Sequence, residues 1–141
     1  MAKNIVLVLV LCPLLFNSCL GIWKPKLSDL EISGARYDDI KIGVLSGQGI
    51  VGKIKNNFSF AAASNIWISA EFYAPNNIFD SSPKQELPLI MTKENKLVKV
   101  LYPFEETEFI IGAPVSEPRF KITIIKADFT DAFGDAETVG N

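Results

Sequence analysis

Between Ile66 and Tyr73 apolar and polar side chains alternate without a break. Ile66, Ile68, Ala70 and Phe72 fall on one face of an extended chain, and Trp67, Ser69, Glu71 and Tyr73 on the other. A helix would spread these residues around its circumference, whereas a strand with a period of two sorts them into a core face and an outer face. Shorter stretches of the same kind recur along the chain. Leu30 and Ile32 alternate with Glu31 and Ser33, and Gly34 is expected to end that run. Asp38-Asp39 reads as a turn before Ile40, Ile42 and Val44, and Ser46-Gly47-Gln48-Gly49 as a second turn before a strand from Ile50 to Asn56. Leu89–Thr92 is a candidate edge strand inside a long polar segment that holds Pro83 and Pro88. Leu97–Tyr102, Glu108–Gly112 (Phe109 and Ile111 inward) and Phe120–Ala127 (Phe120, Ile122 and Ile124 inward) complete the set.

Turn signals every eight to twelve residues and no amphipathic helical period point to an all-β chain of about seven or eight short strands. The expected architecture is a single antiparallel immunoglobulin-like β-sandwich. A small closed barrel is the second choice, because edge closure is not written in the pattern.

The N-terminus has a different composition. Lys3 precedes an uncharged apolar run from Ile5 to Phe16, interrupted by Pro13. A spanning helix needs roughly 20 apolar residues, so this run is too short for one and has the form of a secretory signal. It ends in Phe16-Asn17-Ser18-Cys19. Ser18 supplies the small residue that a membrane-side peptidase needs before its cut, and Cys19 supplies a thiol for a diacylglycerol thioether. The tetrapeptide resembles a bacterial lipobox, departing from the common Leu-Ala-Gly-Cys at Phe16 and Asn17. The alternatives are an uncleaved signal anchor, or a plain cleavage site with a cysteine beside it. The resemblance implies a lipoprotein acylated, with palmitate-type chains, at Cys19. Only Cys12 and Cys19 are cysteines, so a body beginning at Cys19 holds no second thiol for a disulfide. Two or three acyl chains on one residue hold far better than one. The implied location is the exported side of a bacterial cell envelope, with Leu20 compatible with outer-membrane sorting where the cell has an outer membrane.

The expected organisation is therefore a signal peptide over 1–18 and a lipidated cysteine with its tether over 19–28. The sandwich follows over 29–127, and then an acidic C-terminal tail over 128–141. Trp23 in the tether suits either the headgroup level or the edge of the domain.

Composition narrows the chemistry. The chain has a formal charge of −2, and removing Lys3 with the leader makes it −3, which argues against nucleic acid as a partner. It contains no histidine, so Ser-His-Asp and Cys-His triads and His-based metal sites are excluded. The glycines from Gly43 to Gly52 lack the Gly-Lys-Ser/Thr ending of a phosphate loop. Asp128, Asp131, Asp135 and Glu137 do not have EF-hand spacing, and a solvated, partly disordered tail is the expectation for them. Glu105, Glu106 and Glu108 could pair for acid–base work only inside a cleft, and a lipid-tethered hydrolase would have to be built on them. No cofactor and no metal are expected.

Three segments carry a further resemblance. Val51-Gly52-Lys53-Ile54-Lys55-Asn56, then Ile66-Trp67-Ile68 with Glu71-Phe72-Tyr73, then Leu101-Tyr102-Pro103-Phe104-Glu105 before Phe109, are similar to FxLYD-type domains. The likeness covers 50–127 and implies a small immunoglobulin-like envelope domain without implying an activity. The chain departs from the family at Ala74, where an aspartate is usual, and at Phe104, where a Pro-Gly-Glu turn has glycine. Phenylalanine resists positive φ, so the turn at Pro103-Phe104 is expected to be type I or longer.

A binding or scaffolding module without catalysis is the function this pattern fits best, and a structural envelope or assembly accessory is the alternative. Trp67, Glu71 and Tyr73, on the outer face of the clearest strand, are the candidate binding patch for an envelope protein or glycan. The competing expectation is that the strand parity is reversed or that a neighbouring loop covers them.

Overall fold

The computed structural model describes residues 24–42, 45–74, 88–116 and 118–141. The leader, the lipobox and Trp23 lie outside the described residues, as does most of the polar segment around Pro83. Among the described residues a 3₁₀ turn, Leu27–Asp29, leads into seven strands: β1 Leu30–Ile42, β2 Leu45–Asn56, β3 Ala61–Tyr73, β4 Leu89–Leu97, β5 Glu106–Gly112, β6 Arg119–Asp131 and β7 Ala136–Gly140. They form two antiparallel sheets, a three-stranded one in the order β1-β2-β5 and a four-stranded one in the order β4-β3-β6-β7. The chain crosses between sheets after β2, β4 and β5, so that β2 lies beside β5 and β3 beside β6. That connectivity is Greek-key, as in immunoglobulin-like sandwiches.

The two sheets enclose one core. Phe72, Phe109 and Phe129 are its largest buried side chains, with Ile50, Ile54, Ile66, Ile68 and Leu101 around them. The expected face of β3 is the buried one, Ile66, Ile68, Ala70 and Phe72 being fully enclosed. Ile124 is buried on β6, and Phe120 and Ile122 pack half-buried beside it. Burial of each large side chain contributes about 1.5–3 kcal/mol, so β3 and β6 together anchor the fold.

Several expected breaks are bulges within longer strands. Gly34 does not end β1. It adopts φ +60° where the register steps from Ser33↔Lys53 to Arg36↔Val51, an extra-residue bulge that glycine accommodates at no steric cost. Asp38-Asp39 and Ser46–Gly49 are not turns either: Asp38 pairs with Gly49 and Asp39 with Gln48 inside the β1–β2 ladder. Val44 lies outside the described residues. On β3, Asn65 takes φ +46° as the register moves from Ser64↔Asp128 to Trp67↔Lys126. This bulge transfers the inward parity from Ala61 and Ala63 to Ile66 and Ile68. A matching shift on β6 falls between Ile124 and Lys126, turning Ala127 and Phe129 inward.

Two further expectations are corrected. β4 spans Leu89–Leu97, whereas Leu97–Tyr102 is not a strand: Leu101 alone bridges to Ala63, with both main-chain bonds at 2.8 Å. The stretch read as a solvated acidic tail is ordered. β6 runs on to Asp131 and turns back through Asp135 into β7, which pairs Lys126–Thr130 with Ala136–Gly140. The Asp131 carboxylate organises that turn by accepting from Phe133 N–H at 2.8 Å and Asp135 N–H at 3.0 Å.

One seam of the sandwich is closed by side chains. Lys93 Nζ and Asn95 Nδ2 on β4 donate to the carbonyls of Gly112 and Ile110 on β5, at 2.8 and 2.9 Å. They occupy carbonyls that an edge strand would otherwise offer to another chain. No backbone ladder joins β4 to β5 among the described residues, so the fold is two sheets and not a barrel.

Candidate functional site

Trp67, Glu71 and Tyr73 lie on the outer face of β3, as their parity predicts. β3 is an inner strand of its sheet, so both flanks contribute to that face. Lys96 on β4 and Lys126 on β6 stand opposite Trp67, Lys121 stands beside Glu71, and Arg119 beside Tyr73. Lys96 Nζ sits 5.9 Å from the Trp67 ring centroid, within cation–π range. Tyr73 donates its hydroxyl proton to Glu71 Oε2 at 2.6 Å, and Lys121 Nζ lies 3.8 Å from the same oxygen. The three residues are each half-buried. The two rings do not form one aromatic surface: the six-residue step from Trp67 to Tyr73 is about 20 Å of strand. The face is a row consisting of an indole under a lysine, then Ser69, then a tyrosine–glutamate pair with basic neighbours. Such a row offers π-faces, cations and hydrogen-bonding groups to a ligand lying along the strand.

Of the glutamates near Pro103, Glu106 and Glu108 both stand beside Lys53, while Glu105 turns to Lys99. Glu106 pairs with Lys53 at 2.8 Å across the β2–β5 ladder, and Glu105 with Lys99 at 2.7 Å. The hydrogen bond from Lys53 holds the Glu106 carboxyl below its ordinary pKa, and the same bond raises that of Lys53. Glu105 is lowered by Lys99 and by the Tyr102 N–H that it accepts at 3.1 Å. A general acid at neutral pH needs a raised carboxyl pKa, and both of these shift the other way. The acidic hairpin behaves alike. Asp128 accepts from Thr138 Oγ1 at 2.6 Å and from Asn65 Nδ2 at 2.8 Å, and these two bonds lower its pKa. Among the described residues no group of three or more Asp, Glu, Cys or His side chains gathers as metal ligands would.

At the turn before β5 the sequence expectation fails. Glu105 N–H donates to Tyr102 O at 2.9 Å with Pro103 and Phe104 between them, and Phe104 takes φ +65°. Positive φ at that position is the mark of a type II turn, not the expected type I. The strain is offset by Asn56, whose carbonyl accepts from Phe104 N–H at 2.7 Å and whose N–H donates to Glu105 O at 3.0 Å.

Asn56 is the one fully buried polar side chain among the described residues. Its Nδ2 donates to Ala61 O at 2.9 Å and to Leu101 O at 3.0 Å, and its Oδ1 accepts from Phe58 N–H at 3.0 Å. One amide thus fastens the β2–β3 loop, the start of β3 and the β4–β5 crossing. The sequence carries a signal for it. Asn56 continues the inward series Ile50, Gly52, Ile54, where a polar residue has to find partners. The turns it holds display Phe60, Tyr102 and Phe104 to solvent, and Phe133 is exposed at the tip of the β6–β7 hairpin.

No protein-family model matches this chain, and no curated protein matches it.

Proposed function

We propose that this chain is a lipid-anchored bacterial envelope protein whose β-sandwich, an FxLYD-type immunoglobulin-like domain, works as a non-catalytic binding or scaffolding module. The observation that carries the reading is the junction Phe16-Asn17-Ser18-Cys19, placed a short tether ahead of a sandwich that begins at Leu30. Cleavage before Cys19 and acylation of its thiol put the domain on the exported side of a membrane, on the outer membrane where the cell has one.

The outer face of β3 supplies the binding surface. Trp67, Glu71 and Tyr73 line it with cations on both flanks, an arrangement that suits an envelope glycan or an acidic protein segment laid along the strand. Rings already half-packed lose little freedom on binding, which favours them as contact residues. This reading gives the face a binding role and assigns it no catalytic step. A structural or assembly accessory is the second reading, favoured if the β3 face proves idle.

Two experiments test these statements. Cells fed a labelled fatty acid should label the native chain, while Cys19→Ala loses the label and leaves the membrane fraction; continued labelling of that variant would sink the anchor. Trp67→Ala and Tyr73→Ala should each lose retention of the envelope component captured by the native protein while remaining folded. Unchanged capture by both folded variants would turn the reading to the structural role.

A further inference from the structure

We infer that the end of the sandwich at which the chain enters is a second membrane contact, resting on the lipid surface and fixing the orientation of the domain. The inference depends on the anchored reading above and adds a site to it.

The register collects one set of loops at this end. Leu30 pairs with Asn56, so the start of β1 meets the close of β2. Asp29 O accepts from Asn57 N–H at 2.8 Å, which fastens the entering chain to the β2–β3 loop. Asn56 holds the turn at Phe104, and Ala61 pairs with Asp131, which brings the β6–β7 hairpin to the same end. The four most exposed large apolar side chains among the described residues, Val98, Phe133, Tyr102 and Phe104, lie here, while Leu89, Ile90, Met91 and Val115 are exposed to a lesser degree at the opposite end. Val98 and Phe133 are 93% exposed, and Phe60, Tyr102 and Phe104 are each more than half exposed.

Tyr102, Phe104 and Phe133, exposed at turn tips on one end, group apolar surface in the way that marks a protein or membrane contact. These tips are held in place, Phe104 by main-chain bonds to Asn56 and Phe133 by the Asp131 carboxylate. Most of the acids nearby are engaged: Asp29 accepts from Lys26 N–H at 2.7 Å, Glu105 pairs with Lys99, and Asp131 accepts from Phe133 and Asp135 N–H, while Asp135 stands exposed beside Phe133. Exposed Lys24 and Lys26 in the entering segment suit lipid phosphates. An amphipathic Tyr102 suits the headgroup boundary.

The length of the tether selects the lipid surface as the occupant. From Cys19 to Lys24 the chain spans at most about 17 Å. A 13-residue strand such as β1 is about 40 Å long. An acylated Cys19 therefore holds the entry end close to the headgroups, whereas the opposite end, with Val115, stands about 40 Å away from it along the strands.

The test places the photoreactive p-benzoylphenylalanine at position 104, 133 or 115 of the full chain. Each protein is reconstituted into vesicles of phosphatidylethanolamine and phosphatidylglycerol with radiolabelled headgroups, and is also irradiated in native envelopes. Lipid crosslinks should form at 104 and 133 several-fold more than at 115. Equal lipid labelling at all three positions would overturn the inference. So would crosslinks at 104 and 133 that join a second copy or another protein in envelopes in place of lipid. The mass of the N-terminal peptide separates the two readings. An uncleaved, unmodified leader with lipid crosslinks at 104 and 133 contradicts acylation but supports the contact. An acylated Cys19 with no preference among the three positions supports the anchor and removes the contact.

Discussion

The side-chain amide of Asn56 donates to the main-chain oxygen of Leu101 at 3.0 Å across 45 residues of sequence, within a fully buried environment. Leu101 in turn bridges Ala63 by paired main-chain bonds. A residue of the three-stranded sheet thereby holds the crossing from β4 to β5 against the first residues of β3. Apolar packing supplies most of the stability, but this polar contact specifies where the crossing lies. Asn56→Leu keeps the size of the side chain and leaves the oxygens of Ala61 and Leu101 and the N–H of Phe58 without that partner. Leu101 O keeps the Ala63 N–H, so the expected loss is about 2 kcal/mol or more, from Ala61 O and Phe58 N–H at about 1–3 kcal/mol for each buried orphaned group. Chemical denaturation of the variant measures it, and a loss under about 1 kcal/mol would mean that water replaces the amide.

The parity of β3 makes a paired prediction. Phe72→Ala empties a fully buried site and should cost about 3–5 kcal/mol. Glu71→Ala, one residue away on the outer face, removes a partly exposed carboxylate and its bond to Tyr73, and should cost about 1 kcal/mol at most. Denaturant midpoints of the two variants should differ in that order.

Phe104 and Gly52 test the backbone from opposite sides. Phe104→Gly relieves positive φ at an exposed ring and should leave stability unchanged or raise it by about 1 kcal/mol. Gly52→Ala would place a methyl group 2.6 Å from the Phe109 ring, in the core and beside the β1 bulge. Overpacking of this kind costs about 1–3 kcal/mol. Thermal unfolding should separate the two in sign or at least in size.

Acid should loosen the turn at Phe104 and the β6–β7 hairpin. Glu105 and Asp128 have folded-state pKa values lowered, by the Lys99 hydrogen bond and by the Thr138 hydrogen bond respectively. A depressed carboxyl contributes stability that is present above its unfolded pKa and lost as pH falls through the folded one. Stability should therefore decline below the ordinary carboxylate range, and Asp128→Ala should flatten part of that decline. Amide exchange of Thr138 and Val139, followed against pH, reads the hairpin separately from global unfolding.

Much of this fold was legible in the residues. The strict alternation in Ile66–Tyr73 marked both the buried face and the outer one, and Phe109 and Ile111 were inward as their spacing implied. Bulges are harder to read. Gly34 looks like a strand end, because the same left-handed conformation that closes a turn also builds a bulge, and only the partner strand decides between them; the Asn65 bulge on β3 has no sign in the alternation. The acidic hairpin looks like a tail in sequence because its order comes from pairing with β6 and from the Asp131 carboxylate, neither of which has a periodic signature. The turn at Phe104 is hidden for the same reason: local preference opposes its φ, and two main-chain bonds from the distant Asn56 overrule it. In the candidate site the face of Trp67, Glu71 and Tyr73 was readable from parity. The lysines over and beside it were not, since they belong to strands whose register the alternation leaves open.

The anchored reading rests on one atom, the sulfur of Cys19. Intact mass measurement of the N-terminal peptide from membrane-purified protein addresses it directly. The account predicts a chain that begins at Cys19 and carries a thioether-linked diacylglycerol, with or without a further acyl group on its amine. A chain that begins elsewhere, or an unmodified Cys19 in membrane-bound protein, would contradict it.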